Sequence, residues 1–125
     1  MSQLTDVLEV MAQELPGFVA SAVVFIDSGL PIAEYSTDPT IEPSVAAAYL
    51  TTVVKANNQA IKLMAGEQVA DDILVTTESH YFLIRYVQNH SFFTFIMSER
   101  NEWLGKSRML ICKYENKIND ILLNK

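Results

Sequence analysis

The chain has 125 residues, of which 50% are hydrophobic and 19% charged, and a net charge of −6. That length supports one domain with one core, the composition fits a globular chain, and the negative balance disfavours a nucleic-acid backbone as partner. The longest uncharged apolar-rich run, Phe18 to Ile26, is too short to cross a bilayer, and the lone Cys112 excludes an internal disulfide.

In chain order, Leu4, Val7, Leu8, Met11 and Leu15 recur at helical spacing and predict a first helix that Pro16-Gly17 stops. The N-terminus has neither the basic region nor the apolar core of a signal peptide, so a cytoplasmic protein without membrane insertion is expected. Phe18 to Asp27, rich in Val, Ile and Phe, reads as a buried strand. A turn at Asp27-Ser28-Gly29 follows, then a short strand, Leu30 to Ser36, whose Pro31 marks an edge or a strand opening. After a polar loop, Pro43 to Gly66 predicts a long helix, with Pro at its start and Gly66 as an αL closing residue. Three strands are expected next, at Ile73 to Thr77, Tyr81 to Gln88 and Ser91 to Ser98, the last two joined by a turn at Asn89-His90. Trp103 to Leu123 closes the chain as a helix, with Trp103, Leu104, Ile111, Tyr114, Ile118, Ile121 and Leu122 on one side and the small Ser107 within that stripe.

The long helix organises the rest. At 100° per residue, Val45, Ala46, Tyr49, Val53, Ala56, Ala60, Leu63 and Met64 share a face expected to pack on the sheet. Beside it runs a second apolar strip, Ala47, Leu50, Val54 and Ile61, broken at its margin by Asn57. Together they span about twice the arc a surface helix needs, so the second strip is expected to be covered by another subunit. Thr51, Lys55, Asn58 and Lys62 form one polar row.

Charge is distributed unevenly: residues 1–54 hold seven acids and no Lys or Arg, and residues 55–125 hold all nine bases against eight acids. Nothing in the chain reads as catalytic. His80 and His90 flank a strand without a second ligand at metal spacing. Asp71-Asp72 lacks the further acids of a calcium loop and suits the guarding of a strand edge. Ser44, Ser79 and Ser98 lack a nucleophile motif, and Cys112, at the margin of the last helix's stripe, reads as a packed, inert thiol. Gly105-Lys106-Ser107 imitates the tail of a phosphate loop, but Arg100 stands where that pattern needs Gly. No cofactor is expected.

Several local motifs, in order, resemble the roadblock (dynein light chain) domain family, which includes bacterial gliding-motility GTPase-activating proteins. They are Leu15-Pro16-Gly17-Phe18 after the first helix and Val23 to Ile32 with its Asp27-Ser28-Gly29 turn. The Ala-rich Val45-Ala46-Ala47-Ala48 and the Trp103-Leu104-Gly105-Lys106-Ser107-Arg108 start of the last helix complete the set. Ser28 departs from the acid or Asn common in the family, which a turn tolerates. The resemblance runs from Leu4 to Leu122.

It implies an α+β, profilin-like fold of order α-β-β-α-β-β-β-α, with a five-stranded antiparallel sheet between one long helix and two terminal helices. Members pair through the long helix and the strand after it, so Ile73 and Val75 join Ala47, Leu50, Val54 and Ile61 as the expected homodimer interface. Members also bind small Ras-like GTPases, some as activators that position the GTPase's own groups, and this makes the row Thr51, Lys55, Asn58 and Lys62 the expected partner surface. The expected function is that of a non-catalytic dimeric regulator or scaffold for such a GTPase. The alternatives are a ligand-sensing module of the same fold and a structural subunit without a GTPase.

Overall fold

In a computed structural model the described residues are 2–68, 70–87 and 91–124. The elements follow the expected order: α1 (Ser2–Glu14), β1 (Phe18–Phe25), β2 (Leu30–Ser36), α2 (Pro43–Ala65), β3 (Asp72–Thr76), β4 (His80–Val87), β5 (Phe92–Glu99) and α3 (Leu104–Leu123). The five strands form one antiparallel sheet in the order β2-β1-β5-β4-β3, which leaves β2 and β3 as its edges. β4 and β5 pair from His80↔Glu99 to Val87↔Phe92, as a hairpin requires, while the turn expected at Asn89-His90 lies outside the described residues.

Strand alternation divides the sheet's side chains between two cores. Phe18, Val23, Ala33, Leu83, Val87 and Ile96 face α1 and α3. Ala20, Ala22, Val24, Ile84, Phe93 and Phe95 face α2. Because helices cover both faces, the central strands are apolar on both parities, as the unbroken run in β1 suggested. A register shift between Phe18 and Ala20 places Val19 as well as Ala20 on the α2 side. Pro31 of β2 sits beside a second shift, between Val23 and Val24, where an edge strand can absorb its missing N–H.

Polar contacts lock the terminal helices together. Glu14 accepts from the Tyr114 hydroxyl and, at 2.9 Å, from Lys113 Nζ, and these donors hold its carboxyl below the usual range. The Gly17 N–H donates to Glu102 Oε2 at 2.8 Å, tying the end of α1 to the β5–α3 link. Arg85 on β4 donates to Glu115 of α3 at 2.6 Å and lies 3.7 Å from Asp72 of β3, which also pairs with Arg108 at 3.2 Å. Asp72 thus fastens the edge strand to α3 besides charging that edge. Two glycines have positive φ: Gly29 (+74°) in the β1–β2 turn and Gly66 (+71°) after α2. Gly66 stops the helix as expected, but its ψ of −120° lies outside the αL region.

Two expectations for α3 need correction. Trp103 is not part of the buried stripe: it is the N-cap, largely exposed, and its ring stands over Gly105. Cys112 is exposed. The stripe is centred on Ser107, Leu110, Ile111, Ile118 and Leu122, so one wheel step carries position 112 out of the core. Cys112→Ser is therefore expected to change stability by no more than about 0.5 kcal/mol. The folded protein's thiol should react with a disulfide reagent as fast as a free thiol; a reaction limited by unfolding would show that it is packed.

Candidate interaction surface

Pro43 opens α2 at a position where a missing N–H costs nothing, and the following 23-residue helix runs about 34 Å over the β2–β1 side of the sheet. Its rotation is fixed by contacts distant in sequence. Ala47 and Val54 are fully buried and Leu50 nearly so, packed in the core that contains Ala20, Ala22, Val24 and Phe95. Small residues at 20, 22 and 47 let the helix backbone come close to β1. Thr51 is also buried, its hydroxyl donating to the Ala47 carbonyl at 2.7 Å, and it lies where a Cβ on Gly29 would come within 3.4 Å. Further along, the Tyr86 hydroxyl donates to Asn58 Oδ1 at 2.6 Å, and burial pushes its pKa up.

This rotation reverses the expected roles of the two strips. Ala47, Leu50 and Val54, expected at a subunit interface, form the chain's own core. Tyr49, Leu63 and Met64, expected against the sheet, are 74%, 76% and 87% exposed, and Val45 and Val53 are exposed beside them. Ile61, Ile73 and Val75 are half-buried, between the two conditions. The surplus apolar arc is real, but it lies on the other strip.

The polar row is corrected too. Thr51 is interior, so the row does not point outward as a unit, while Asn58 stays exposed and accepts from the Tyr86 hydroxyl. Lys55 and Lys62 remain exposed, Lys55 with its Nζ 3.2 Å from the Asp27 carbonyl. The outer face of α2 is thus an apolar strip running the length of the helix, small at its centre (Ala56, Ala60) and bulky towards both ends, with two lysines flanking it. Among the described residues, no three His, Cys, Asp or Glu side chains are grouped to hold a metal, and no helix is long and apolar enough to cross a membrane.

No protein-family model and no curated protein matches the sequence. Solved structures do match the fold. Myxococcus xanthus MglB superposes with a TM-score of 0.87 at 15% identity, over 98% of this chain and 90% of that one. The gliding protein MglB of Thermus thermophilus gives 0.86 at 16% identity, over 99% and 91%. A Roadblock/LC7 domain from Streptomyces avermitilis gives 0.74 at 13% identity, over 93% and 98%. This chain has the roadblock fold.

Within that fold the exposed strip of α2 lies on the opposite side of the sheet from the terminal helices. Among the described residues, the β3 edge, with Ile73 and Val75 half-buried, has no strand neighbour on its outer side. One signal in the sequence could have set the rotation of α2: Ala47 matches the small residues of β1, whereas Tyr49 cannot approach a strand so closely.

Proposed function

We propose that the protein is a non-catalytic regulator or scaffold that works as a homodimer and binds a small Ras-like GTPase. The observation that carries this reading is the apolar outer strip of α2, far too bulky at Tyr49, Leu63 and Met64 to be an ordinary solvated helix back. A second copy suits it: small alanines near the helix midpoint allow two such helices to cross closely, and the bulky ends then fill the flanks. The β3 edges, with Ile73 and Val75, are brought towards the same seam and extend it. Pairing of this kind builds a platform from two long helices, and the exposed Lys55 and Lys62 border it as contacts for an acidic partner surface. The roadblock resemblance supports both parts of the reading. On it, the platform holds the GTPase's own groups in place and supplies no reacting group itself.

The test is binding to the Ras-like GTPases of the source organism, each loaded with GDP or a non-hydrolysable GTP analogue, together with the rate of GTP hydrolysis. Nucleotide-dependent binding supports the reading, and accelerated hydrolysis would make the protein an activator. A folded dimer that binds none of them in either state overturns it. Lys55→Glu with Lys62→Glu is expected to leave the dimer and its melting temperature nearly unchanged, since exposed substitutions usually stay within about 0.5 kcal/mol. The same variant should weaken GTPase binding at least tenfold; wild-type affinity and salt dependence would place the contact elsewhere.

A further inference from the structure

Every buried residue of α2 lies in its first half: Pro43, Ala47, Leu50, Thr51 and Val54. Residues 55–65 make up about 16 Å of helix, and among the described residues none of them is buried. Only Asn57 and Ile61 are half-buried there. What ties this second half to its own domain is mainly polar. The Tyr86 hydroxyl donates to Asn58 Oδ1 at 2.6 Å, and Lys55 Nζ lies 3.2 Å from the Asp27 carbonyl. Its apolar side chains face away, with Leu63 and Met64 more exposed than any residue of the first half's strip.

A helical segment of about three turns is marginal in water unless side-chain packing holds it. Asn57 and Asn58 at its start add to the difficulty, because Asn side chains compete for backbone hydrogen bonds and disfavour a helix interior. The first half is held differently, since its buried side chains fix it to the core under β1. It therefore serves as a template from which the second half extends or frays. Few buried contacts and solvent-exposed backbone bonds place a segment at the low-stability end of a fold. The turns that carry the bulkiest exposed apolar residues of α2 are thus those that their own chain holds least.

We propose that the second half of α2 is completed by pairing: it frays in the free chain and becomes a stable helix when a second copy covers Ala56, Ala60, Leu63 and Met64. This rests on the homodimer reading above and adds a regulatory step to it. Lys62 rides on the segment and Lys55 stands at its start, so the basic border of the partner platform is held in place only in the pair. Linkage makes the effect reciprocal. A partner that binds the ordered platform tightens pairing by the same factor by which pairing tightens its binding. The free chain is then a weak-binding form of the protein, and the order of this segment is what couples assembly to the partner.

Amide hydrogen exchange tests this on the paired wild type and on Tyr49→Glu with Val53→Glu, with light scattering recording the mass. Both substitutions are at exposed positions in the first half and leave residues 55–65 unchanged. In the unpaired protein, amides 57–65 should lose protection by at least about tenfold, while amides 50–55 keep theirs. Dilution of the wild type until it dissociates gives the same comparison without a substitution. Gln59, exposed beside the apolar strip, supplies a second measurement. Gln59→Ala and Gln59→Gly should differ about fivefold in pairing Kd, the effect of one Ala-to-Gly change on a helix that forms only in the pair. A helix already complete in the free chain would shift both states alike and give equal Kd values. Equal protection of 57–65 in paired and unpaired protein, or equal Kd values for the two Gln59 variants, overturns this proposal and leaves the dimer standing. A wild type that stays monomeric at millimolar concentration overturns the dimer reading and this one with it.

Discussion

Val54→Asp is expected to abolish folding. Val54 is fully buried on the inner side of α2, in the core it shares with Ala22, Val24, Phe93 and Phe95, and none of these side chains offers a hydrogen bond to a carboxylate. An unpaired carboxylate there either stays ionised at a cost of several kcal/mol or takes up a proton and still lacks a partner. Domains of this size are stable by about 5–15 kcal/mol, so such a loss removes most of the native population. Val54→Ala, which only leaves a small cavity, should cost about 2 kcal/mol and keep a cooperative transition. Far-UV circular dichroism and urea unfolding of the pair give the comparison. A folded Val54→Asp protein with a wild-type urea midpoint would mean that this strip does not face the sheet.

Tyr49→Glu with Leu63→Glu is the complementary experiment on the other side of the same helix. Both side chains are about three-quarters exposed in the single chain, so the substitutions should hardly disturb its own fold. In a two-fold pair each substitution occurs twice, placing four carboxylates in an apolar seam. Burial of a large apolar side chain contributes about 1.5–3 kcal/mol, and Tyr is among the residues enriched at binding hot spots. Losing these contacts should weaken pairing by a factor of at least about 1000, since about 1.4 kcal/mol corresponds to tenfold. Light scattering at micromolar concentration should show the wild type as a pair and the variant as a folded monomer, and the wild type alone should melt at a temperature that rises with concentration. Unchanged mass in both proteins would show that the strip is not the seam. Loss of GTPase binding together with pairing would tie the partner platform to the dimer; binding retained by the monomer would separate them.

The two experiments bear on the place where the amino-acid pattern pointed furthest from the structure, the rotation of α2. The order of elements and most of their boundaries were legible, because the signals are local. Pro43 and Gly66 bracket α2, the Asp27-Ser28-Gly29 turn separates β1 from β2, and strand alternation places Phe82, Ile84 and Tyr86 on one face of β4. The excess of apolar surface on α2 was legible for the same reason, since a wheel needs only the sequence. What a wheel cannot supply is the phase of that helix against the sheet. With two apolar strips side by side, burying either would satisfy hydrophobicity, and the larger one looked like the core. The choice belongs to contacts made across the fold: the small Ala20 and Ala22 under Ala47, the Gly29 turn against Thr51, and the Tyr86 hydroxyl that draws in Asn58. A rotation of about 140° separates the two answers, and with it Thr51 moves from the partner surface into the interior. The exposure of Cys112 and Trp103 has the same origin, since a residue at the margin of a stripe is placed by how the helix rolls against its neighbours. Local signals along the chain set which elements form and how much apolar surface they carry; packing across the fold selects which of that surface is left for another molecule, because close packing on a particular sheet depends on shapes brought together from distant parts of the chain.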